Sequence, residues 1–123
     1  MAIGFTACSS DDDTSFSDQE QAQKDLYAQK IIGRWALVEH AYNSTTNFKV
    51  PTDEERDSLI FLTNGTVEKH LPNTTYSVSW QIEHRAVTIG TFYYNLTFND
   101  DYSLMTLSER LGSDSFIYRY NRY

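Results

Sequence analysis

The chain has 123 residues, 40% of them hydrophobic and 15% aromatic, which is enough for one small domain with an appended segment. Its formal net charge is −7, and its Lys and Arg residues do not cluster, so we expect no nucleic-acid partner. No apolar run approaches the roughly 18 residues that span a bilayer as a helix. The single cysteine, Cys8, excludes an internal disulfide and a zinc site built on several thiolates.

Residues 3–8 (IGFTAC) are apolar, then small, and they end on Cys8. They resemble the end of a bacterial lipoprotein signal peptide, in which small residues precede a lipidated cysteine. Residues 9–13 (SSDDD) resemble the export signal that follows this cysteine in surface lipoproteins of Bacteroidetes. The resemblance implies that residues 1–16 are a signal-peptide remnant, a lipidation site at Cys8 and an acidic tether. A solvated acidic linker is the alternative interpretation.

A helix is predicted over residues 17–32. Ser17 and Glu20 have the spacing of a capping box, and no Gly, Pro or β-branched run interrupts the chain before residue 31. The apolar stripe of this helix is narrow and consists of Ala22, Leu26, Tyr27 and Ile31. We expect it to pack at one mouth of the structure that follows, and a partner-binding helix is the alternative.

Turn signals divide residues 33–123 into eight strand candidates. Asn64-Gly65 is the strongest hairpin signal among them. One long connection, residues 41–57, contains a second capping-box pattern at Thr52 and Glu55, which predicts a single helical turn. Long connections on compact domains are often functional. The predicted strands are 34–40, 58–63, 66–71, 75–84, 86–90, 92–98, 103–109 and 115–122.

Apolar and polar residues alternate strictly in several of these strands. Tyr76, Val78, Trp80 and Ile82 share one face of the fourth strand, and Ser77, Ser79, Gln81 and Glu83 share the other. A period of two with one polar face is typical of half-buried antiparallel strands. Eight short strands joined mostly by tight turns can close and leave no edge strand. The predicted fold is all-β: an eight-stranded antiparallel up-and-down β-barrel over residues 33–123, with one N-terminal α-helix, together forming the domain 17–123.

Gly33 and Trp35 begin the first strand, after a short helix and before a long loop and a β-meander. This arrangement resembles the lipocalin-like superfamily, and with the lipoprotein-like start it is similar to small lipocalin-like lipoproteins of Bacteroidetes. The resemblance covers residues 30–123. It implies that Trp35 closes the barrel base and that an Arg of the last strand packs across it. Arg122 is the first candidate for that Arg, and Arg119 is the second.

The inward faces carry the candidate ligand-binding residues, which are aromatic. An apolar wall with a few phenol groups is how small-molecule sites are usually built. The same rings can also fill a barrel of this size and leave no void. The candidates are Tyr76, Trp80, Phe92, Tyr94, Tyr118 and Tyr120, with Phe116 on the same face of the last strand.

Residues with catalytic or metal-binding potential form no recognisable motif. His40, His70 and His84 lack the i, i+4 spacing of a helical metal site, and the sequence has neither a nucleophile elbow nor a glycine-rich phosphate loop. We therefore expect no enzyme activity, no cofactor and no metal. Asp57-Ser58-Leu59 resembles the O-glycosylation motif of Bacteroidetes.

Two functions remain open. The first is a monomeric outer-membrane lipoprotein whose barrel binds a small hydrophobic or amphipathic ligand and which faces the medium or the periplasm. The second is a filled barrel that presents its rim or the 41–57 loop to a protein or glycan partner at the outer membrane. Tyr42, Asn43 and Phe48 would then form the contact surface.

Overall fold

The computed structural model describes residues 8–123, and the side chains of residues 18–123. The predicted signal-peptide remnant, residues 1–7, lies outside the described residues. One α-helix precedes eight strands, and a short 3-10 helix, Asp53–Glu55, lies between the first two strands. The elements are α1 (Cys8–Lys30), β1 (Gly33–Tyr42), β2 (Ser58–Phe61), β3 (Thr66–His70), β4 (Thr75–Glu83), β5 (Ala86–Ile89), β6 (Phe92–Phe98), β7 (Leu104–Leu111) and β8 (Asp114–Arg122).

The strands form a closed antiparallel barrel in up-and-down order. Each strand pairs with the next along the chain, and β8 pairs with β1 to complete the circle. This confirms the predicted fold class, and all eight predicted strands are present with small shifts at their ends. Closure leaves the barrel without an edge strand.

The helix is longer than predicted, because it begins at Cys8 and not at Ser17. The expected helix start at the Ser17 capping box is therefore wrong, and the residues after Cys8 that were expected to form the acidic tether are helical. The sequence contains neither Gly nor Pro between Cys8 and Lys30, so nothing local ends a helix there. Among the described residues, neither helix is long and apolar enough to cross a membrane.

We call the end of the barrel at which β1 begins the base, and the opposite end the mouth. The C-terminal part of α1 packs at the base. Ile31 is fully buried, and the ring of Tyr27 contacts the ring of Phe98 edge-on at 5.1 Å between centroids. Leu26, which was predicted to share this apolar stripe, is 37% exposed. Among the described side chains, those that pack with the core lie in the last turn of the helix and in the two residues after it.

A β-bulge in β1 changes which side chains face inward. Leu37 pairs with Tyr120, but Glu39 already pairs with Arg119, so Val38 is an extra residue in the register. Beyond the bulge His40 pairs with Tyr118 and lies on the inner face. The long 43–57 connection begins just after this point, so the bulge and the loop together shape the mouth.

Candidate functional site

The base of the barrel is closed by Trp35 and Arg122, the pair that the lipocalin-like resemblance implies. Trp35 is fully buried, and its indole nitrogen donates a hydrogen bond to the carbonyl oxygen of Ile31 at 2.8 Å. The guanidinium carbon of Arg122 lies 4.2 Å from the centroid of the Trp35 ring. A cation over an indole contributes about 0.5–2 kcal/mol, depending on burial.

Arg122 also joins the helix to the base. Its guanidinium donates to the carbonyl oxygens of Ile32, at 2.8 Å, and of Lys30, which are left without partners at the end of α1. Gly33 leaves room for this contact: it has φ of +125°, and a Cβ there would lie 2.7 Å from a guanidinium nitrogen of Arg122. The second candidate, Arg119, packs elsewhere, 3.8 Å from the centroid of the Phe48 ring.

The six predicted ligand-binding aromatics are divided among three places. Tyr94, Tyr118 and Tyr120 line a cavity inside the barrel. Trp80 belongs to the core, since its ring packs edge-on against Phe61 and its nitrogen donates to the Leu62 carbonyl at 3.1 Å. The other two, Tyr76 and Phe92, lie at the rim and are 44% and 53% exposed.

We call the cavity inside the barrel the inner cavity, and its volume is about 80 Å³. Below it the barrel is filled, as the complete burial of Trp35, Leu96 and Met105 shows. A volume of this size has room for a few water molecules or for one small chemical group. The cavity is lined by Asp57, Leu59, Lys69, Ile89, Tyr94, Leu107, Tyr118 and Tyr120.

A carboxylate with few hydrogen-bond donors lies in the wall of this inner cavity. The Asp57 side chain is 11% exposed, and its Oδ2 accepts a hydrogen bond from the Tyr120 hydroxyl at 2.8 Å. The Lys69 ammonium lies 3.6 Å from the same oxygen. The other oxygen, Oδ1, is buried and has no hydrogen-bond partner among the described residues. The carboxylate therefore keeps unused acceptor capacity.

The three phenols of the cavity are neutral donors. Burial, followed by the charge of Glu109, raises the pKa of Tyr118 to about 12. Burial is also the main cause that raises the pKa of Tyr94 and of Tyr120 above the usual 10.0, with Asp57 adding to the shift in both cases. At neutral pH these groups keep their protons, and the Tyr118 hydroxyl donates to Glu109 at 3.3 Å.

A second cavity of about 440 Å³ lies at the mouth, between the 3-10 helix and the β3–β4 turn. We call it the mouth cavity, and it shares Asp57 and Tyr118 with the inner cavity. On its wall the His40 imidazole nitrogen Nε2 lies 3.6 Å from a carboxylate oxygen of Glu55. The full lining is Leu37, His40, Glu54, Glu55, Arg56, Asp57, Leu71, Pro72, Asn73, Thr74 and Tyr118.

The 43–57 loop is fixed to the barrel at two places. His40 and Lys49 exchange backbone hydrogen bonds of 2.9 and 2.8 Å. The predicted capping box is present, and the Thr52 backbone N–H donates to Glu55 at 2.9 Å. That hydrogen bond is the main cause that lowers the pKa of Glu55 below its usual value. The loop therefore holds the 3-10 helix in one position over the mouth.

The same loop forms one side of a groove on the outer surface of the barrel. The groove has a volume of about 530 Å³ and lies between the loop and the β3–β4 turn. Val50, on its loop side, is 78% exposed, whereas Phe48 is partly buried beneath Arg119. The groove is lined by Ala36, Leu37, Val38, Val50, Pro51, Arg56, Asp57, Ser58, His70, Leu71 and Pro72.

The charged residues of the cavities were absent from the sequence-based site. Three of them lie two positions from a buried apolar residue and therefore on the same inward face of the strand. These pairs are Asp57 before Leu59, Lys69 after Val67, and Glu109 after Leu107. Extending the alternation beyond the last apolar residue finds all three. His40 could not be found in this way, because the bulge at Val38 shifts it to the inner face.

The site combines hydroxyl and ammonium donors with carboxylate acceptors, and it lies above a filled barrel base. Among the residues that the structure describes, no three His, Cys, Asp or Glu side chains come together as metal ligands do. Hydrogen bonding and charge pairing are the chemistry that these groups offer to a guest. No protein-family model and no curated protein matches this chain.

Proposed function

We propose that the protein binds a small amphipathic molecule through the mouth of its barrel. One observation carries the proposal: the mouth cavity and the inner cavity share Asp57 and Tyr118, so a molecule that enters the mouth meets buried polar groups. A concave site with apolar walls and a few convergent polar groups is typical of ligand sites. The filled base gives such a site a floor.

The cavity volumes limit the size of the ligand. The inner cavity, at about 80 Å³, admits a polar group of a few heavy atoms, and the mouth cavity, at about 440 Å³, admits an apolar body of modest size. Tyr118 and Leu37 offer apolar surface there. A long acyl chain would require the core residues below the cavity to move. The ligands that fit these cavities are therefore a smaller class than the hydrophobic or amphipathic molecules that the sequence suggests.

Thermal unfolding with a panel of small amphipathic molecules tests the proposal. A ligand that binds only the native state increases the free energy of unfolding by RT ln(1 + [L]/Kd), and this raises the melting temperature. Leu107→Phe places a ring in the inner cavity and should abolish the shift. Leu111→Phe is the control, because it makes the same change on the same strand at a residue that is 54% exposed. If no compound shifts the unmodified protein, the proposal fails.

We also propose that the chain is a monomeric envelope lipoprotein anchored through Cys8. The support is the order of residues 3–13, in which small residues precede Cys8 and a Ser-rich acidic run follows it. Metabolic labelling with an alkyne fatty acid in a bacterial host should mark the full chain, and Cys8→Ser should remove the label. Labelling that survives Cys8→Ser would refute the anchor.

The second candidate function, an interaction module, is favoured by the outer groove. Its volume of about 530 Å³ exceeds that of the mouth cavity, and Val50 exposes an apolar side chain beside it. Val50→Asp should then weaken capture of an outer-membrane partner, while Thr45→Asp, an exposed residue on the same loop, should not. Equal capture by both variants would exclude the groove as the contact surface.

A further inference from the structure

The carboxylate of Asp57 is the group in the site whose bonding is least complete. Both of its partners, the Tyr120 hydroxyl and the Lys69 ammonium, approach Oδ2, and Oδ1 has no hydrogen-bond partner among the described residues. A carboxylate can accept about four hydrogen bonds. Leaving a buried acceptor unpaired is costly, so a donor brought by a ligand would gain more here than at the surface.

We infer that the ligand presents a protonated amine to Asp57, an inference that rests on the proposed function. Asp57 lies in the wall of both cavities, so the amine of a molecule whose body occupies the mouth cavity would reach the carboxylate from the mouth. The Tyr120 hydroxyl would keep its bond to Oδ2 and would fix the orientation of the carboxylate.

The charges around the site favour a cation over a neutral or anionic group. Asp57 and Glu109 are opposed inside the barrel by one base, Lys69. On the wall of the mouth cavity, the exposed Glu54 and Glu55 add two carboxylates, whereas Arg56 pairs with Asp53 at 3.1 Å. The set inside the barrel carries one excess negative charge, and the exposed carboxylates make the potential at the mouth more negative. A buried charge without a partner is costly, and a monovalent cation supplies the partner.

The aromatic side chains around the carboxylate suit a cation as well. Tyr94 and Tyr118 meet edge-to-face, with centroids 6.3 Å apart and planes at 82°. Phe116 stacks on Tyr118 with an angle of 4° between planes and continues the aromatic surface toward the rim. Ring faces attract ammonium groups, and the attraction grows when water is excluded.

Three probes of nearly equal size separate the alternatives on the full chain: phenethylamine, phenethyl alcohol and hydrocinnamate. Isothermal titration at neutral pH and low salt measures the Kd of each. We expect phenethylamine to bind about tenfold or more tightly than the alcohol, because hydrogen bonds to charged groups are the stronger ones. We expect hydrocinnamate to bind most weakly, because it adds a negative charge to an acidic site.

Two test variants and one control show whether the amine binds at Asp57. Asp57→Asn keeps the shape of the side chain and removes its charge, and it should reduce the affinity for phenethylamine to that for phenethyl alcohol. Glu83→Gln, on the outer face of β4, is the matched control and should leave all three affinities unchanged. Glu109→Gln is the second test variant and serves if Asp57→Asn does not fold. It should lower the affinity for phenethylamine severalfold.

The outcomes distinguish this inference from the function on which it rests. If phenethyl alcohol or hydrocinnamate binds as tightly as phenethylamine, the barrel is a binding site and the amine inference is overturned. If the amine binds best but keeps its affinity in Asp57→Asn and in Glu109→Gln, the cation lies elsewhere and the inference is again overturned. If none of the three probes binds, the amine inference is overturned, and the proposed function fails with it when no compound of the thermal-unfolding panel binds either.

Discussion

The two halves of the barrel are built from the same strands, but they differ in the side chains that face the barrel interior. In the base half, Trp35, Leu96 and Met105 leave no exposed surface, and the guanidinium of Arg122 donates to backbone carbonyls. In the mouth half, Asp57 and Lys69 face a cavity. In the function that we propose, stability and binding therefore belong to opposite ends of one fold.

The change between the halves occurs within single strands. On the inner face of β7, Leu107 is 1% exposed, and Glu109 follows it on the same face toward the mouth, where it accepts a hydrogen bond from Tyr118. The same step from apolar to charged separates Val67 from Lys69 in β3. Barrels that carry a site on a rigid scaffold can vary the site without disturbing the core beneath it.

The largest expected effect on this division is the loss of Trp35. Trp35→Ala removes a fully buried ring and its hydrogen bond to Ile31, and we expect it to lower the free energy of unfolding by about 3–5 kcal/mol. Urea unfolding followed by circular dichroism measures the loss. The Kd of the folded fraction for any mouth ligand should not change.

Trp35→Phe is the control for that variant. It keeps most of the apolar contact and removes the indole nitrogen, so its destabilisation should be clearly smaller. If Trp35→Ala weakens ligand binding by the folded protein, the two halves are coupled, and the division between them is wrong.

The next effect in size concerns Gly33. Gly33→Ala requires a side chain at φ of +125° and a Cβ 2.7 Å from the Arg122 guanidinium. We expect a loss of about 1–3 kcal/mol in the free energy of unfolding, measured by urea unfolding. Gly112→Ala is the matched control, because its φ is +65° but its Cβ meets open space. An equal loss in both variants would show that the contact with Arg122 contributes nothing.

The fold could be predicted from the sequence because its signals are local. Alternation in β4 and β6, and turn clusters such as Asn64-Gly65, each act over a few residues and agree with one another. The Trp35–Arg122 contact followed from the family resemblance, since the two residues are far apart in the chain. The helix start could not be placed, because Ser17 also fits the interior of a longer helix.

The site was harder to predict, because its chemistry depends on register across strands. The motif at Asp57-Ser58-Leu59 resembles a glycosylation motif, a prediction that stays open, and nothing in it marks Asp57 as an inward carboxylate. No sequence pattern marks the bulge at Val38, so the face of β1 on which His40 lies could not be predicted. Cavity volume depends on how rings such as Trp80 and Tyr94 pack, and a pattern of apolar residues does not encode it.

A smaller effect, in the mouth half, is expected at Tyr120. Tyr120→Phe removes the hydroxyl that donates to Asp57 at 2.8 Å and leaves a carboxylate with Lys69 alone. We expect a loss of about 1–2 kcal/mol in the free energy of unfolding. Tyr118→Phe removes a longer bond, 3.3 Å to Glu109, and should cost less. A Tyr120→Phe protein as stable as the original would show that water replaces the hydroxyl.

The last prediction has no effect at neutral pH and appears only in alkali. Burial raises the pKa of Tyr118 to about 12, above its ordinary value of 10.0, so the folded state holds this proton after the unfolded chain has released it. The unfolded state then binds fewer protons, and stability must fall as pH rises from about 10 to 12. The phenol of Tyr94, whose pKa burial also raises, adds to the slope.

Urea unfolding at a series of alkaline pH values measures this slope, and phenolate absorbance reports the titration itself. Tyr94→Phe should make the slope shallower, because it removes one of the protons that the folded mouth retains. Tyr93→Phe is the control, since Tyr93 is the neighbouring residue and is 57% exposed. If both variants keep the original slope, the phenols of the mouth are hydrated. The mouth cavity would then be open to water down to Asp57, in contrast to the buried side chains of the base.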